Sequence, residues 1–350
     1  ERRDLGREIV GEVLVAAGVD EFVALLVQHR RKADLLVAPG IAVAVVGKQA
    51  ADRLVGRHLV QALSQEGNSV ISFGRRHVAG HTYWDITEGP LLNPPRVDAV
   101  VHCAAHVDDW AVYPESYKGN VLGTKNVLQS FPNTSLFIHI SSASVYDPFV
   151  PDHFLKEESL CGNFLNAYSQ TKREAELVVS AATNRSRVIL RPHIIYGPGD
   201  TTVLPRILAA RRLGRFLVVG DGKNLISVTH VQNLVHAVVQ TLRANLPDGC
   251  EIFNVADESQ DTVDTLINAL RDALSINERI LHIPRVPAYV LGTLEESLYR
   301  LIGSKKPPLL TRYLVAQMAY GHALDISKAQ KELKYKPEWN YHLVFPKMKV

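Results

Sequence analysis

Cysteine is scarce in this chain, and its scarcity excludes two chemistries at once. Only Cys103, Cys161 and Cys250 occur among 350 residues. They are far apart and odd in number, so they build neither a disulfide framework nor a zinc site. That usage suits a reducing compartment, and a cytoplasmic location is expected. Apolar runs of membrane-spanning length, about 20 residues, are also missing. No signal peptide is visible at the start. Contact with a membrane, if there is any, is therefore expected to be peripheral. Charge of one sign is lacking too. The balance is 39 Lys and Arg against 36 Asp and Glu, with no basic block, which argues against a nucleic-acid partner. Internal repeats and low-complexity segments are absent. What the chain does have is an apolar fraction of 46%, normal for a sizeable core in one large domain or two smaller ones.

Residues 1–40 precede the main pattern. Ile9, Val10, Val13 and Leu14 recur at helical spacing, Gly18 interrupts, and Asp20 is placed to cap a second helix through Phe22, Leu25, Leu26 and His29. An N-terminal helical extension is expected, packed on the domain or on a twin subunit, with a docking arm for a partner as the alternative. From Ile41 the pattern changes. Ile41–Val46 reads as a fully buried parallel strand, Leu59, Val60 and Leu63 mark a helix, and Ser69–Phe73 a second strand. Further strands are expected at Val97–Cys103, before Ser141 and into Arg191-Pro192, with helices at Asn120–Thr124 and around Tyr168. Strand and helix in alternation predict an α/β fold with a doubly wound parallel sheet. Beyond Ile195 the signals are mixed: a helix over 204–213, a strand at Val228–Val231, a helix over 233–242, and an apolar stripe of Val290, Leu291, Leu294, Leu298 and Leu301 that reads as core or as the roof of a pocket.

Tyr168 and Lys172 stand four residues apart, which on a helix puts both on one face, one turn from each other. A phenol of ordinary pKa near 10 is a poor acid at neutral pH, and an ammonium beside it is expected to draw that value down. The pair suits proton exchange with a carbonyl/alcohol couple. Two other chemistries fail on local pattern. His106, Asp108 and Asp109 lack metal-ligand spacing, so no metal site is expected. Ser142 has no flanking glycines of a nucleophile elbow.

Three pieces in order, Phe137–Tyr146 with its serines, Asn166–Glu176 with the Tyr/Lys pair, and Val188–Asp200, resemble the extended short-chain dehydrogenase/reductase superfamily. Gly197–Arg206, Ser227–Leu234, Leu310–Tyr313 and Asp325–Pro337 are similar to its 3β-hydroxysteroid dehydrogenase-like branch, and the likeness runs from about Ile41 to Trp339. The resemblance implies a Rossmann cofactor domain over 41–195 and a smaller, mainly C-terminal substrate domain over 196–350, with 216–242 returning to the Rossmann sheet. It implies Tyr168 as acid/base, Lys172 as its tuner and a holder of the nicotinamide ribose, and Ser142 as donor to the substrate carbonyl. Ser141 and Ser144 are backup or structural hydroxyls, and Asn120 holds local structure. Ala104, Ala105, Asp85, Ile86, Pro192 and Ile195 fall where the superfamily lines its cofactor. It further implies a hydrophobic substrate carrying a secondary alcohol or ketone, and a homodimer.

Glycine is missing where the resemblance asks for it. The three glycine positions of the phosphate turn are Ala50, Arg53 and Gly56. Either Arg53 clamps a phosphate, with Gly47 as the turn glycine of a longer loop, or it blocks the pocket and the chain is a binding or assembly subunit. No acid follows the second strand, whereas Arg75 and Arg76 do. Arginines suit a 2′-phosphate, so NADP(H) is favoured, with NAD(H) the alternative. That preference argues against a nucleotide-sugar epimerase, which normally holds NAD.

Overall fold

The computed structural model describes residues 40–47, 54–77, 80–150, 154–201, 207–208, 211–212 and 214–347. All but the last residue of the expected N-terminal extension over 1–40, most of the expected helix over 204–213, and the positions Ala50 and Arg53 lie outside the described residues.

The chain enters the sheet at β1 (Ala42–Val46), crosses through α1 (Leu54–Gln65) to β2 (Ser69–Gly74), and adds the short edge strand β3 (Thr82–Tyr83). It then returns across β1 to β4 (Ala99–His102). Helix α2 (Tyr113–Tyr117), a π-turn over Lys118–Leu122 and α3 (Gly123–Ser130) lead to β5 (Leu136–Ile140). Helix α4 (Ala167–Ser180) leads to β6 (Ser186–Pro192). With the later strand β12 (Gly249–Val255), the strand order is β12-β6-β5-β4-β1-β2-β3, and every neighbouring pair is parallel. Apolar residues on both faces explain the arrangement. Val43, Val45, Val101, Ile138 and Leu190 fill one layer under α1, while Ala44, Val46, Val100, Phe137 and Ile189 fill the other. Strands buried on both faces belong in parallel sheets covered by helices.

No strand within 216–242, the segment expected to return to the sheet, joins the seven-stranded sheet. β7 (Ile195–Tyr196) pairs instead with β11 (Thr229–His230). β9 (Arg215–Val219) lies between β8 (Arg211–Arg212) and β14 (Arg279–Ile283) in a separate sheet. β10 (Leu225–Ile226) pairs with β13 (Asp261–Thr262). What comes back is the helix α5 (Val231–Arg243), whose Leu234, Val235 and Val238 join the core under α1, followed by β12 (Gly249–Val255), the seventh main strand. The smaller C-terminal lobe continues with α6 (Val263–Ala273), α7 (Arg285–Leu301), α8 (Arg312–Ala319), α9 (Ser327–Glu332) and α10 (Tyr341–Val344).

The stripe on α7 is not core in this structure. Val290, Leu291, Leu294, Leu298 and Leu301 are exposed, Leu301 by 84%. The inner face is taken by Ala288 and Gly292, where an added Cβ would come within 3.3 Å of the Thr311 carbonyl carbon. Close backbone approach therefore uses the small residues and turns the large ones outward.

Candidate active site

The chain runs outward from β1 through β2 to β3, then reverses from β1 to β4. That reversal opens a crevice at the carboxyl ends of β1 and β4, where open α/β sheets bind ligands. Gly47 closes β1, and its N–H donates to the Phe73 carbonyl at 3.1 Å. Past β4, the N–H groups of Cys103 and Ala104 donate to Val46 O at 2.8 and 2.9 Å, and buried Ala104 and half-buried Ala105 leave the mouth lined by small side chains. Gly56 is buried within the first turn of α1. At the end of β2, Arg75 and Arg76 are exposed, and Arg75 Nη1 lies 3.4 Å from Asp85 Oδ2. Asp85 is held below the usual carboxylate range: burial pushes it up, but the Thr87 N–H and then Arg75 outweigh that. Ile86 is buried, and its carbonyl accepts from Asn126 Nδ2 at 2.7 Å. On the far side of the crevice Pro192, the last residue of β6, is buried, and Ile195 is half-buried. All these described positions therefore border one edge of the sheet, and the small residues with the basic turn fit a dinucleotide lying across it.

Ser142, Tyr168 and Lys172 meet at the same edge. Ser142 leaves β5 extended and caps the short 3₁₀ turn Ala143–Val145, its Oγ accepting the Ser144 N–H at 3.1 Å. Asn166 caps α4 by accepting the Ser169 N–H at 2.8 Å, which fixes the first turn and Tyr168 with it. The Tyr168 phenol faces the Ser142 hydroxyl. One turn on, Lys172 is buried, and its Nζ donates to Ile140 O at 2.6 Å and to His139 Nε2 at 3.4 Å.

The electrostatics correct one expectation. Lys172 does not draw the phenol down. Burial pushes Tyr168 up to about 12; the Ser142 hydroxyl opposes this and the Asp109 charge adds to it. Burial instead brings Lys172 down to about 8, against the pull of Glu176 and Cys103. The ammonium is turned toward β5, so the phenol receives little of its field, while desolvation acts on both.

Neighbouring residues have structural work. Ser141 Oγ donates to Glu176 Oε1 at 2.7 Å, so it is committed to the interior. Asn120, in the π-turn, donates to Thr171 Oγ1 at 2.9 Å and accepts the His106 N–H at 2.6 Å, tying the loop after β4 to α4. Asp108 Oδ1 caps the Trp110 N–H. No cluster of three metal-ligating side chains is found among the described residues. Sequence reasoning missed His139 and His102, which lie beneath Lys172. Their signal was a polar residue at the C-terminal end of each of two otherwise apolar strands.

Comparisons with known proteins give the family and the fold. Residues 51–256 match the model of the NAD dependent epimerase/dehydratase family. A 2-alkyl-3-oxoalkanoate reductase of Shewanella oneidensis is 26% identical over 306 residues, covering 80% of this chain and 79% of that protein. The 3beta-hydroxysteroid-dehydrogenase/decarboxylase isoform 1 of Arabidopsis thaliana is 30% identical over 258 residues, covering 69% of this chain and 58% of that protein. Among solved structures, UDP-glucuronic acid 4-epimerase from Bacillus cereus, in complex with NAD, superposes with a TM-score of 0.63 at 19% identity, covering 88% of this chain and 95% of that one. A likeness at that identity shows the fold alone.

Proposed function

Because the chain belongs to the NAD dependent epimerase/dehydratase family, we propose that it is an NADP(H)-dependent oxidoreductase interconverting a secondary alcohol and a ketone on a hydrophobic substrate. That it is an NAD(P)-dependent enzyme of the short-chain dehydrogenase/reductase type follows from the family and from the reductase and dehydrogenase relatives. The finer reading is ours. It rests on one observation: the Tyr168 phenol facing the Ser142 hydroxyl, with the buried Lys172 ammonium one turn along the helix, beside the crevice at the switch point.

A bound reduced nicotinamide supplies the hydride, and the protein manages the proton. Ser142 Oγ accepts from Ser144 N and its proton points toward the phenol oxygen, where an incoming carbonyl oxygen would take it over. Tyr168, pushed up to about 12, keeps its proton throughout the neutral range and gives it to the same oxygen as charge develops. That suits reduction of a ketone. Lys172 keeps positive charge at the site below its value of about 8 and, as the resemblance implies, would hydrogen-bond the ribose. Gly47, Gly56, Ala104, Ala105, Asp85, Ile86, Pro192 and Ile195 would hold the dinucleotide, with Arg75 and Arg76 on its 2′-phosphate. The named substrates of the relatives, an oxoalkanoate and a hydroxysteroid, are both greasy, and a long-chain 3-oxo acid or 3β-hydroxysteroid is the class assigned here.

The test is consumption of NADPH by the purified protein with 2-alkyl-3-oxoalkanoic acids of increasing chain length. Turnover that improves with chain length supports the reading. Failure to bind either reduced dinucleotide at millimolar concentration sinks it, in favour of the binding or assembly subunit that Ala50 and Arg53 suggest. An epimerase, the activity named for the solved neighbour, would instead co-purify with NAD and turn over a UDP-sugar.

Peripheral membrane contact belongs to the same reading. The outer face of α7 presents Val286, Leu294, Leu298 and Leu301. Its acids are turned inward, Glu295 to the Leu310 N–H and Glu296 to Arg312. Lys305 and Lys306 follow the helix and are exposed. An apolar face with a basic end and tethered acids matches an anionic lipid surface. Co-sedimentation with phosphatidylglycerol vesicles, lost in a Leu294→Glu/Leu298→Glu variant, is the expected result. A homodimer in a reducing, cytoplasmic setting completes the proposal; light scattering after gel filtration decides the first part, and a monomer there, or vesicle binding unchanged in the variant, would remove the corresponding element.

A further inference from the structure

Two histidines lie buried beneath the proposed active site. His102 closes β4 and is 0% exposed; His139, on β5, is 1% exposed, and the rings stand 5.2 Å apart. Both are held well below their ordinary value, first by burial and then by the charge of Lys172, so both are neutral. The hydrogen bonds fix their tautomers. Thr124 Oγ1 donates to Asn120 O at 2.5 Å, which uses the hydroxyl proton. His102 Nε2, 2.9 Å from the same oxygen, must therefore be the donor. Lys172 Nζ is a donor only, so His139 Nε2, 3.4 Å away, must present its lone pair. The Nδ1 atoms of both rings are buried without a partner. An orphaned polar atom is tolerated in a core when the rest of the group has a task.

That task is set by what surrounds Lys172. The titratable and charged groups facing it are His102 and Cys103 from β4, His139 from β5, and Tyr168 and Glu176 from its own helix, with Arg191 of β6 behind Glu176. Glu176 is bonded to Arg191, Arg173 and Ser141. The ammonium thus has no carboxylate of its own, and its hydrogen-bond partners are a carbonyl and an imidazole. We infer that His139 is a positioning residue for the reaction, its Nε2 lone pair keeping the Lys172 amine charged and aimed, while His102 and Thr124 buttress its ring. This rests on the oxidoreductase reading for its consequence in turnover, but the hydrogen bond can be tested without it.

The experiment uses the full chain carrying lysine labelled with ¹³C at Cε. The Lys172 resonance is the one missing from Lys172→Met, and in the native protein it titrates near 8. In His139→Leu the acceptor is gone and the ammonium is harder to keep, so the midpoint moves down by about one pH unit. His139→Gln, whose amide oxygen reaches the same place, returns it. In kinetics, the alkaline limb of kcat moves down with it, and KM for the ketone changes by less than about twofold. Should the leucine variant fail to fold, His139→Asn, whose amide is too short to reach, takes its place. A midpoint unmoved in the leucine or asparagine variant, even with a lower melting temperature, overturns the inference and leaves His139 as packing. A protein inactive with every ketone and dinucleotide would overturn the proposed function instead, and the resonance would still decide the role of His139.

Discussion

Lys172, carried on α4, and Arg191, which reaches α4 from β6 at Glu176 one turn further on, are two buried cations treated in opposite ways. Arg191 is 1% exposed and meets Glu176, which is 0% exposed, in a bidentate pair, with Nε and Nη2 each 2.8 Å from a carboxylate oxygen. Arg173 and Ser141 fill the remaining acceptor positions, Glu157 O takes Nη1, and the guanidinium sits over Tyr146 at 4.8 Å. The result is a charge that cannot be lost. Lys172 is buried as deeply, yet has only a carbonyl and an imidazole, and it titrates near 8. Desolvation alone does not distinguish them; the carboxylate does. Saturation makes a charge structural, and withholding the counter-ion keeps it adjustable, as a group beside a reacting oxygen needs to be.

The comparison breaks most readily at Glu176. Glu176→Leu leaves Arg191 buried without its partner, and a loss of about 3–5 kcal/mol is expected, read as a large fall in denaturation midpoint. The fraction still folded stays active at acidic pH, but its kcat declines at a lower pH than in the native protein, because Glu176 helps hold Lys172 up. A variant of native stability would show that the pair is not what holds α4 to β6. The converse substitution is Lys172→Met. Stability should change by no more than about 1 kcal/mol, since a desolvated ammonium is replaced by an apolar chain of similar length, whereas kcat falls about 10²-fold. In the unmodified protein the same charge sets the pH profile. Ketone reduction should decline about tenfold per unit above pH 8, long before Tyr168 at about 12 loses its proton. A profile flat to pH 10 would separate Lys172 from the chemistry.

Buried neutral histidines carry the contrast into stability. His102 and His230 are brought down to about 3, and His322 to about 4, in each case chiefly by burial. A histidine depressed on folding binds fewer protons folded than unfolded. Its contribution is whole above the ordinary 6.5 and is lost as pH falls toward the folded value. Each contributes on the order of 1 kcal/mol per pH unit across that window. Melting temperature should therefore fall steadily between pH 6.5 and 4. Asp257, raised to about 6 mainly by burial, acts the other way, and stabilises most below its unfolded value. A melting temperature constant over that range would mean that these rings do not remain neutral in the interior.

The sheet was legible because its strands are apolar on both faces, a pattern few other environments accept. Ser142, Tyr168 and Lys172 were legible as neighbours because helical spacing and a cap fix where two of them point. Charge states were not legible. The value of Lys172 depends on its burial against β5 and on Cys103, which is far from it in sequence and adjacent only once β4 pairs with β5. The α7 stripe misled for a related reason. Helical periodicity shows that large apolar residues share a face, but Ala288 and Gly292 decide which face goes in. The return to the sheet was placed too early because Arg215–Val219 has the same β character as Gly249–Val255. Only the pairing of β6 with β12 tells them apart.

The smallest expected effect concerns a third cation, at the surface, which tests whether position alone assigns a charge its role. Arg75 is 38% exposed, and its contact with Asp85, at 3.4 Å, is worth little in water. By the contrast drawn above, such a cation is neither saturated nor desolvated and is available to a ligand. If Arg75 and Arg76 receive a 2′-phosphate, Arg75→Ala should weaken NADPH about tenfold and leave NADH within about twofold, because only one of the two carries the extra dianion. Melting temperature should not move. Isothermal titration of both dinucleotides against both proteins reads the result. Equal weakening of NADPH and NADH would mean that Arg75 acts through Asp85, aligning the adenosine end for either cofactor, and the NADP preference would then rest on Arg76 alone.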